Sequence, residues 1–370
     1  MIDLQPLLSN GGWLLATIVA FGAMIFVHEL GHFLGAKRAG VGIHAFARGF
    51  GPRLFATQRG ETTYAVNLIP FGGYVRMAGE DFEPPTGEEG QPLEEEGSFR
   101  RKRVDVRMAI VAAGPVMNLL LAAVILAVIA AGFGVPVGIT NRVGMLVAMC
   151  GQPSGAPPEG PCPAAQAGLQ PGDAIVAIDG QPMTNGEQVV DTIHRSPGKQ
   201  VVLTVERAGR RFDVTVTPRL DPARQIGLIG FAPQLVRQRY NPASAVLWGV
   251  QRTGEFIVTF IGAIGNLIRE GMLLRNLGGP IAAGRALVEA GRSGLENFLY
   301  VAASLSIIIG IFNLIPIPAL DGGRFAFLLV EAIRRRPVDP RREGYVHLVG
   351  FVLLFLLLAI LVWRYQRAGG

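Results

Sequence analysis

The chain has 370 residues, of which half are hydrophobic and 17% are charged. Soluble domains carry about 25% charged residues, so this composition excludes an ordinary soluble globular protein and indicates an integral membrane protein. The net charge of +6 does not indicate a nucleic-acid partner, because the basic residues gather beside the apolar segments.

Four apolar segments are each long enough to supply the about 20 residues that a helix needs to cross a bilayer. The predicted transmembrane helices occupy residues 1–37, 105–136, 297–323 and 344–366. Lysine and arginine are enriched in the connections 38–104 and 324–343. The positive-inside rule therefore predicts that both connections are cytoplasmic and that the termini and the long segment between the second and third spans face outward.

The first span ends in the pentapeptide H-E-L-G-H at residues 28–32. On a helix His28 and His32 share one face and can bind one zinc ion, while Glu29 can act as a general base on water. A charged group at membrane depth costs about 2.5 kcal/mol or more, so a cluster there indicates function. The alternatives are a chance match and a structural zinc site, which would prefer four protein ligands.

Residues 62–77 are predicted to form a hairpin that follows the first span. One interpretation is an ordinary cytoplasmic hairpin. The other is an exposed edge that pairs with an extended substrate, for which Gly72, Gly73 and Tyr74 are the candidate residues. The sequence favours neither.

Between residues 140 and 220 short β-branched runs separated by turns predict a small β-rich domain. Cys150 and Cys162 lie on the predicted outer side, as a disulfide or as two free thiols. Residues 235–296 are helical in composition, and their apolar stretch 256–268 is too short to span a bilayer. This segment is predicted to lie along the outer membrane surface.

A catalytic zinc ion usually has three protein ligands and one open position, so a third ligand is needed. Asp321 is the candidate, because it ends the third predicted span directly after the helix-breaking Pro316 and Pro318. His44, His194 and His347 are poorer candidates. The alternative for Asp321 is a helix-end side chain that faces the cytoplasm.

The chain resembles the site-2 protease family, and within it the bacterial intramembrane zinc metalloproteases of the RseP type. The resemblance rests on the pentapeptide at 28–32, on G-P-V-M-N at 114–118 and on N-L-I-P-I-P-A-L-D-G-G at 313–323, in this order on four spans. It implies a polytopic α-helical membrane protein with a membrane-associated β-hairpin loop at about 62–77. It also implies one inserted PDZ domain at 140–220, although some members carry two in tandem.

The resemblance further implies one Zn²⁺ bound by His28, His32 and Asp321, with Glu29 as the base and as proton donor to the leaving amine. It implies that Asn313 hydrogen-bonds the substrate. Asn118 is expected instead to pack two spans together. The other residues with predicted structural roles near the site are Gly114, Pro115, Pro316 and Pro318.

Substrates implied by the resemblance are single-span membrane proteins already shortened on the outer side, often anti-sigma factors. The PDZ domain would act as a size filter or read a newly exposed carboxyl terminus. The bacterial inner membrane is the expected location, with the PDZ domain outside and the active site near the cytoplasmic face. Three other readings are a membrane-anchored adaptor without activity, a soluble-facing zinc protease with membrane anchors, and a metal transporter.

Overall fold

The computed structural model describes residues 10–80, 97–147, 160–222, 224–272 and 279–367. In this part of the chain the helices are α1 (Asn10–Arg38), α2 (Val104–Gly132), α3 (Pro163–Gln166), α4 (Gly186–His194), α5 (Pro242–Arg269), α6 (Pro280–Arg292), α7 (Leu295–Leu314), α8 (Asp321–Arg334) and α9 (Pro340–Arg367). The strands are β1 (Ile43–Arg59), β2 (Thr62–Met77), β3 (Val135–Leu146), β4 (Ala174–Ile178), β5 (Gln181–Pro182), β6 (Val201–Arg207), β7 (Arg210–Val216), β8 (Arg219–Asp221), β9 (Ile226–Leu228) and β10 (Phe231–Gln238). They form two compact units. The helical unit comprises the residues up to Phe133 and from Tyr240 onward, and the β-rich unit is Gly134–Arg239.

In the described part of the chain, four helices are long and apolar enough to cross a membrane, which confirms the predicted four-span layout. They cover Gly11–Arg38, Val104–Gly132, Leu295–Leu314 and Pro340–Arg364. The pentapeptide at 28–32 lies inside α1 rather than at its end, because the helix continues to Arg38. Lys37 and Arg38 in the last turn favour this extension by their interaction with the negative end of the helix dipole.

Helix α2 is central in the helical unit and packs against α1, α5, α7 and α8. Glycines make three of these contacts close. A Cβ atom on Gly31 would lie 2.3 Å from the carbonyl oxygen of Ala113, and one on Gly249 would lie 2.3 Å from that of Ala123. On Gly310 it would lie 3.1 Å from the oxygen of Pro115. Small residues at such crossings increase van der Waals contact, which holds spans together where lipid removes the hydrophobic driving force.

Strands β1 and β2 form one sheet in which β2 contacts β1 twice. Ala47 pairs with Tyr74 on one side and with Ala65 on the other, and Arg59 pairs with Thr62 at the turn. The hairpin is therefore larger than predicted, since residues 43–59 also belong to it. Its outer part carries exposed apolar side chains, namely Phe50, Leu54, Phe55, Leu68 and Ile69.

The β-rich unit has the strand order β10-β3-β4-β6-β7, with β5 paired to β4. Its core holds fully buried Ile175, Leu203 and Val205 together with Val189 of α4. This confirms a β-rich insertion. The unit is wider than the predicted 140–220, because β10 pairs with β3 and so does not belong to the following helical segment.

Two further predictions concern segments beside these elements. Cys162 is buried, but Cys150 lies outside the described residues, and with it the choice between a disulfide and two free thiols. The predicted cytoplasmic connection 324–343 contains most of α8, a helix that was not expected there. Leu328 of α8 is buried and Phe325 packs in the same cluster, so this helix forms because one of its faces is covered.

Candidate metal centre

Three side chains from distant parts of the chain meet at one point. His28 Nε2 lies 2.8 Å from Asp321 Oδ2, and His32 Nε2 lies 3.2 Å from the same oxygen. The two histidine Nε2 atoms are 3.2 Å apart, and both residues are buried. This is a group that could hold a metal ion.

The geometry of this group fits zinc. Four ligands at about 2.0–2.1 Å in tetrahedral geometry lie about 3.3 Å from one another, close to the separations observed. His32 Nδ1 donates a hydrogen bond to the carbonyl oxygen of Ile110 at 3.0 Å. In the neutral ring the proton then resides on Nδ1, and the Nε2 lone pair points at the cluster, as a metal ligand requires.

Glycines make room for the His32 ring at the crossing of α1 and α2. A Cβ atom on Gly114 would lie 2.2 Å from His32 Nε2 and 2.6 Å from Cε1. Gly31, one position before His32, is in contact with the backbone of Ala113 and Gly114. Pro115 lies inside α2, where it removes one backbone hydrogen bond. This segment of α2 therefore contributes room for the His32 ring rather than a reactive side chain.

Asp321 is delivered by a short non-helical segment between α7 and α8. Helix α7 ends at Leu314, just before Pro316, and α8 begins at Asp321 itself. A carboxylate in the first turn of a helix is stabilised by the positive end of the helix dipole. Gly322 and Gly323 lie so close to the backbone of Ile315 and Ile317 that any Cβ would collide with carbonyl oxygens.

Helix α9 holds the segment that precedes Asp321. His347 Nδ1 accepts a hydrogen bond from the backbone N–H of Ala319 at 3.0 Å. Ala319 has φ +77°, a left-handed conformation that is uncommon without glycine. Pro318 packs against Gly350 of α9. His347 was a poor candidate as a ligand from the sequence, and its contact with Ala319 depends on tertiary packing that no local pattern indicates.

Glu29 lies beside the sheet. A Cβ atom on Gly73 would lie 3.2 Å from Glu29 Cγ, so the backbone of β2 passes the side chain of the candidate base. Gly72 has φ +93°, and a Cβ there would collide with the ring of Phe50. Tyr74 stacks with Phe50 at 6.3 Å between ring centroids. Among the described residues, 72–77 pair with another strand on one edge only.

The two asparagines differ in their surroundings. Asn118 is fully buried, and Ser306 Oγ of α7 donates to its backbone oxygen at 2.8 Å. Asn313 Nδ2 donates to the carbonyl of Ile309 in its own helix at 3.0 Å. The structure thus brings together, at one place, His28, His32, Asp321, Glu29, Gly73 and Gly114. The side chain of Asn313 instead forms a hydrogen bond within its own helix.

Two imidazoles, one carboxylate and an adjacent glutamate, held among helices that can span a membrane, define a membrane-embedded metal hydrolase. The family model of peptidase family M50 matches residues 16–357. The chain belongs to this family.

Curated relatives agree over nearly the whole length. The chain is 32% identical to the zinc metalloprotease RasP of Geobacillus kaustophilus, over 95% of this chain and 97% of that protein. It is 34% identical to a putative zinc metalloprotease of Agrobacterium fabrum, over 95% of each. It is 30% identical to the regulator of sigma-E protease RseP of Escherichia coli, over 95% of this chain and 98% of that protein. The chain is accordingly a site-2 type, intramembrane zinc metalloprotease.

Solved structures match a smaller part. The PDZ domain of an SdrC-like protein from Listeria innocua is 19% identical, and the match covers 28% of this chain and 99% of that one with a TM-score of 0.21. The corresponding domain from Listeria monocytogenes is 22% identical, and the match covers 25% of this chain and 87% of that one with a TM-score of 0.19.

Proposed function

We propose that His28, His32 and Asp321 bind the zinc ion and that Glu29 is the general base for hydrolysis of a peptide bond. The observation that carries this proposal is the convergence of the two Nε2 atoms and one carboxylate oxygen within 2.8–3.2 Å. When bound, zinc supplies Lewis-acid chemistry, which polarises a carbonyl and lets water ionise near neutral pH.

Glu29 moves the protons in this mechanism. Its carboxylate takes a proton from the attacking water and passes a proton to the leaving amine, so that the side chain returns to its starting state. His32 is held in one tautomer by the carbonyl of Ile110 and keeps its Nε2 lone pair directed at the ion. Asp321 contributes the negative charge that offsets part of the charge of the ion.

The open edge of residues 72–77 binds the substrate backbone in an extended form. A helical peptide shields its amides, so hydrolysis requires local unwinding, and a free strand edge supplies hydrogen bonds to the unwound segment. The contact of Gly73 with Glu29 supports this role, because it would bring an added strand close to the base. Gly72, Gly73 and Tyr74 remain the candidate residues, with Asn313 as a further candidate for hydrogen bonding to substrate.

The substrate we propose is a single-span membrane protein that another protease has already shortened on the outer side, of the anti-sigma-factor kind. Two relatives are named regulator of sigma-W protease RasP and regulator of sigma-E protease RseP, and these names support a role in sigma-factor control. The β-rich unit would exclude substrates with large outer domains or read a carboxyl terminus. The positive-inside rule supports an outer position for this unit and both termini, with the metal centre near the cytoplasmic face.

Cleavage of a tagged single-span protein in membranes tests the proposal. The substrate is used with its outer domain intact and truncated, and wild type is compared with Glu29→Gln. Wild type should cut the truncated form within its span, while Glu29→Gln should retain zinc without turnover, because the ligands remain and the base is lost. Glu61→Gln is a matched control, since Glu61 is exposed at the β1–β2 turn.

Two results would contradict the proposal. Turnover by Glu29→Gln at the wild-type rate would exclude Glu29 as the base. Equal cutting of the intact and truncated substrates would remove the requirement for a first cleavage, and with it the filtering role of the β-rich unit.

A further inference from the structure

Glu80 and Arg324 form a charged pair that the proposed chemistry does not use. Arg324 Nη1 donates to Glu80 Oε1, and Nη2 donates to the backbone oxygen of Glu80 at 3.3 Å. The side chain of Arg324 is 20% exposed and that of Glu80 is 19% exposed. A half-buried, charge-assisted pair of this kind is held more firmly than an ion pair on an open surface.

The pair joins two elements with different tasks. The second carboxylate oxygen of Glu80 accepts a hydrogen bond from the backbone N–H of Met77 at 3.1 Å, so Glu80 is attached to the end of β2. Arg324 lies one helical turn after Asp321 in α8. Its guanidinium group also stacks over the ring of Phe99, with 5.6 Å to the centroid. Glu80 is therefore fixed to the end of the strand, and Arg324 belongs to the helix that carries the carboxylate ligand.

Cavities lie on both sides of the pair. A cavity of about 540 Å³ is lined by Asp321 and His347, and one of about 460 Å³ is lined by Arg107 and Glu331. Glu80 and Arg324 line both. The apolar cluster that contains Met77 of β2 and Leu328 of α8 also joins these two elements, and the hydrogen bonds of the pair add a directional connection between the end of β2 and the start of α8.

We infer that Glu80 and Arg324 are positioning residues, which keep the substrate-binding edge of β2 aligned with the metal ligand at the start of α8. This inference rests on the proposed function. The strand passes Glu29 at Gly73 and ends at Met77, three residues before Glu80. The pair therefore fixes the position of a substrate bound to the strand relative to Asp321. Loss of the pair leaves all three ligands in place but allows the scissile bond to move relative to them.

A second ion pair on α8 has a different task. Arg107 of α2 pairs with Glu331, and Arg107 Nε also donates to the carbonyl of Lys102 at 3.1 Å. This pair joins two helices and does not include the strand. It helps to fix α8 to α2, whereas the Glu80–Arg324 pair supplies the charged connection between α8 and the end of the strand.

The inference is tested on the full chain in detergent with a transmembrane peptide substrate, by measuring kcat, KM and bound zinc per chain. The variants are Arg324→Gln, Arg324→Lys, Glu80→Gln and the double variant Glu80→Gln/Arg324→Gln. Arg103→Gln is the control, because Arg103 is exposed and its pair within the described residues is a local one with the exposed Asp105. Misplacement of a substrate by about 1 Å can cost about 100-fold in rate.

We expect Arg324→Gln to lower kcat by about 10- to 100-fold with full zinc content. Arg324→Lys should recover part of that loss, and the double variant should be no worse than either single one, because the two residues act together. The inference is overturned if Glu80→Gln and Arg324→Gln keep the wild-type kcat, or if zinc content falls in proportion to kcat. Failure of the proposed function is a different result, namely wild-type cleavage that does not depend on Glu29.

Discussion

Replacing Gly114 with alanine tests whether the helix crossing creates the metal centre. The added Cβ would lie 2.2 Å from His32 Nε2, 2.6 Å from Cε1 and 2.8 Å from Cδ2. Carbon and nitrogen atoms in contact need about 3.5 Å, so the ring must move by about 1 Å. Moving the helices apart to make room would lose the close packing of Gly31 against the backbone of Ala113.

The size of the effect follows from the tolerance of a metal site. Ligand distances are held within about 0.2 Å, so a shift of about 1 Å takes His32 out of the ligand set or distorts the site. Loss of a group that merely orients a ligand weakens binding by about 10- to 100-fold. We therefore expect zinc to bind Gly114→Ala at least about 100-fold more weakly, which is about 2.7 kcal/mol.

The assay is zinc retention by the purified variant against a competing chelator of known affinity, together with cleavage of the transmembrane substrate. Gly132→Ala is the matched control, because Gly132 lies in the same helix and an added Cβ there meets no atom within 4 Å. It should bind zinc as wild type does. If Gly114→Ala also retained zinc with wild-type affinity and cleaved normally, the assignment of His32 as a ligand at this crossing would be wrong.

Three other predictions concern separate parts of the chain. Asp321→Ala should leave less than one zinc per chain, and full occupancy by metal analysis would remove Asp321 from the ligand set. Ser306→Ala should cost about 0.6 kcal/mol through loss of the hydrogen bond to the Asn118 backbone, seen as a lower unfolding midpoint in detergent, and an unchanged midpoint would contradict it. The hydrogen bonds from Arg207 hold the pKa of Asp173 below its usual range. This stabilisation is present above about pH 3.9, the pKa of Asp in an unfolded chain, and is lost as the pH falls through the lower pKa of the folded protein. Amide protection at 168–173 should therefore fall below about pH 4 in wild type, and Asp173→Asn should remove that dependence.

The proximity of the two proposed ligand histidines could be predicted because their relation is local. A spacing of four residues on a helix fixes His28 and His32 on one face whatever the rest of the chain does. Asp321 could be proposed from chemical need and from the prolines before it. Gly114 was expected near the site, but the contacts that orient His32 could not be predicted, because the carbonyl of Ile110 and the space at Gly114 come from the crossing of two helices distant in sequence.

The missed elements also have physical reasons. Strand β1 contains glycines and arginines and folds between two parts of β2, a register that no alternation of apolar residues indicates. Helix α8 has two glycines directly after Asp321 and ends in a run of arginines, a composition that favoured a loop. Phe325 and Leu328, three positions apart, were the signal that a covered helix was present.

The carboxylate of the metal centre lies 293 residues after the first histidine. During synthesis, the chain makes α1 long before α8, so the growing polypeptide carries the histidines and the glutamate without their third partner. With Asp321 as the proposed third ligand, the metal site is complete only after α8 has been translated and has packed against α2. A chain interrupted before α8 would carry the two histidines and the glutamate without the proposed third ligand.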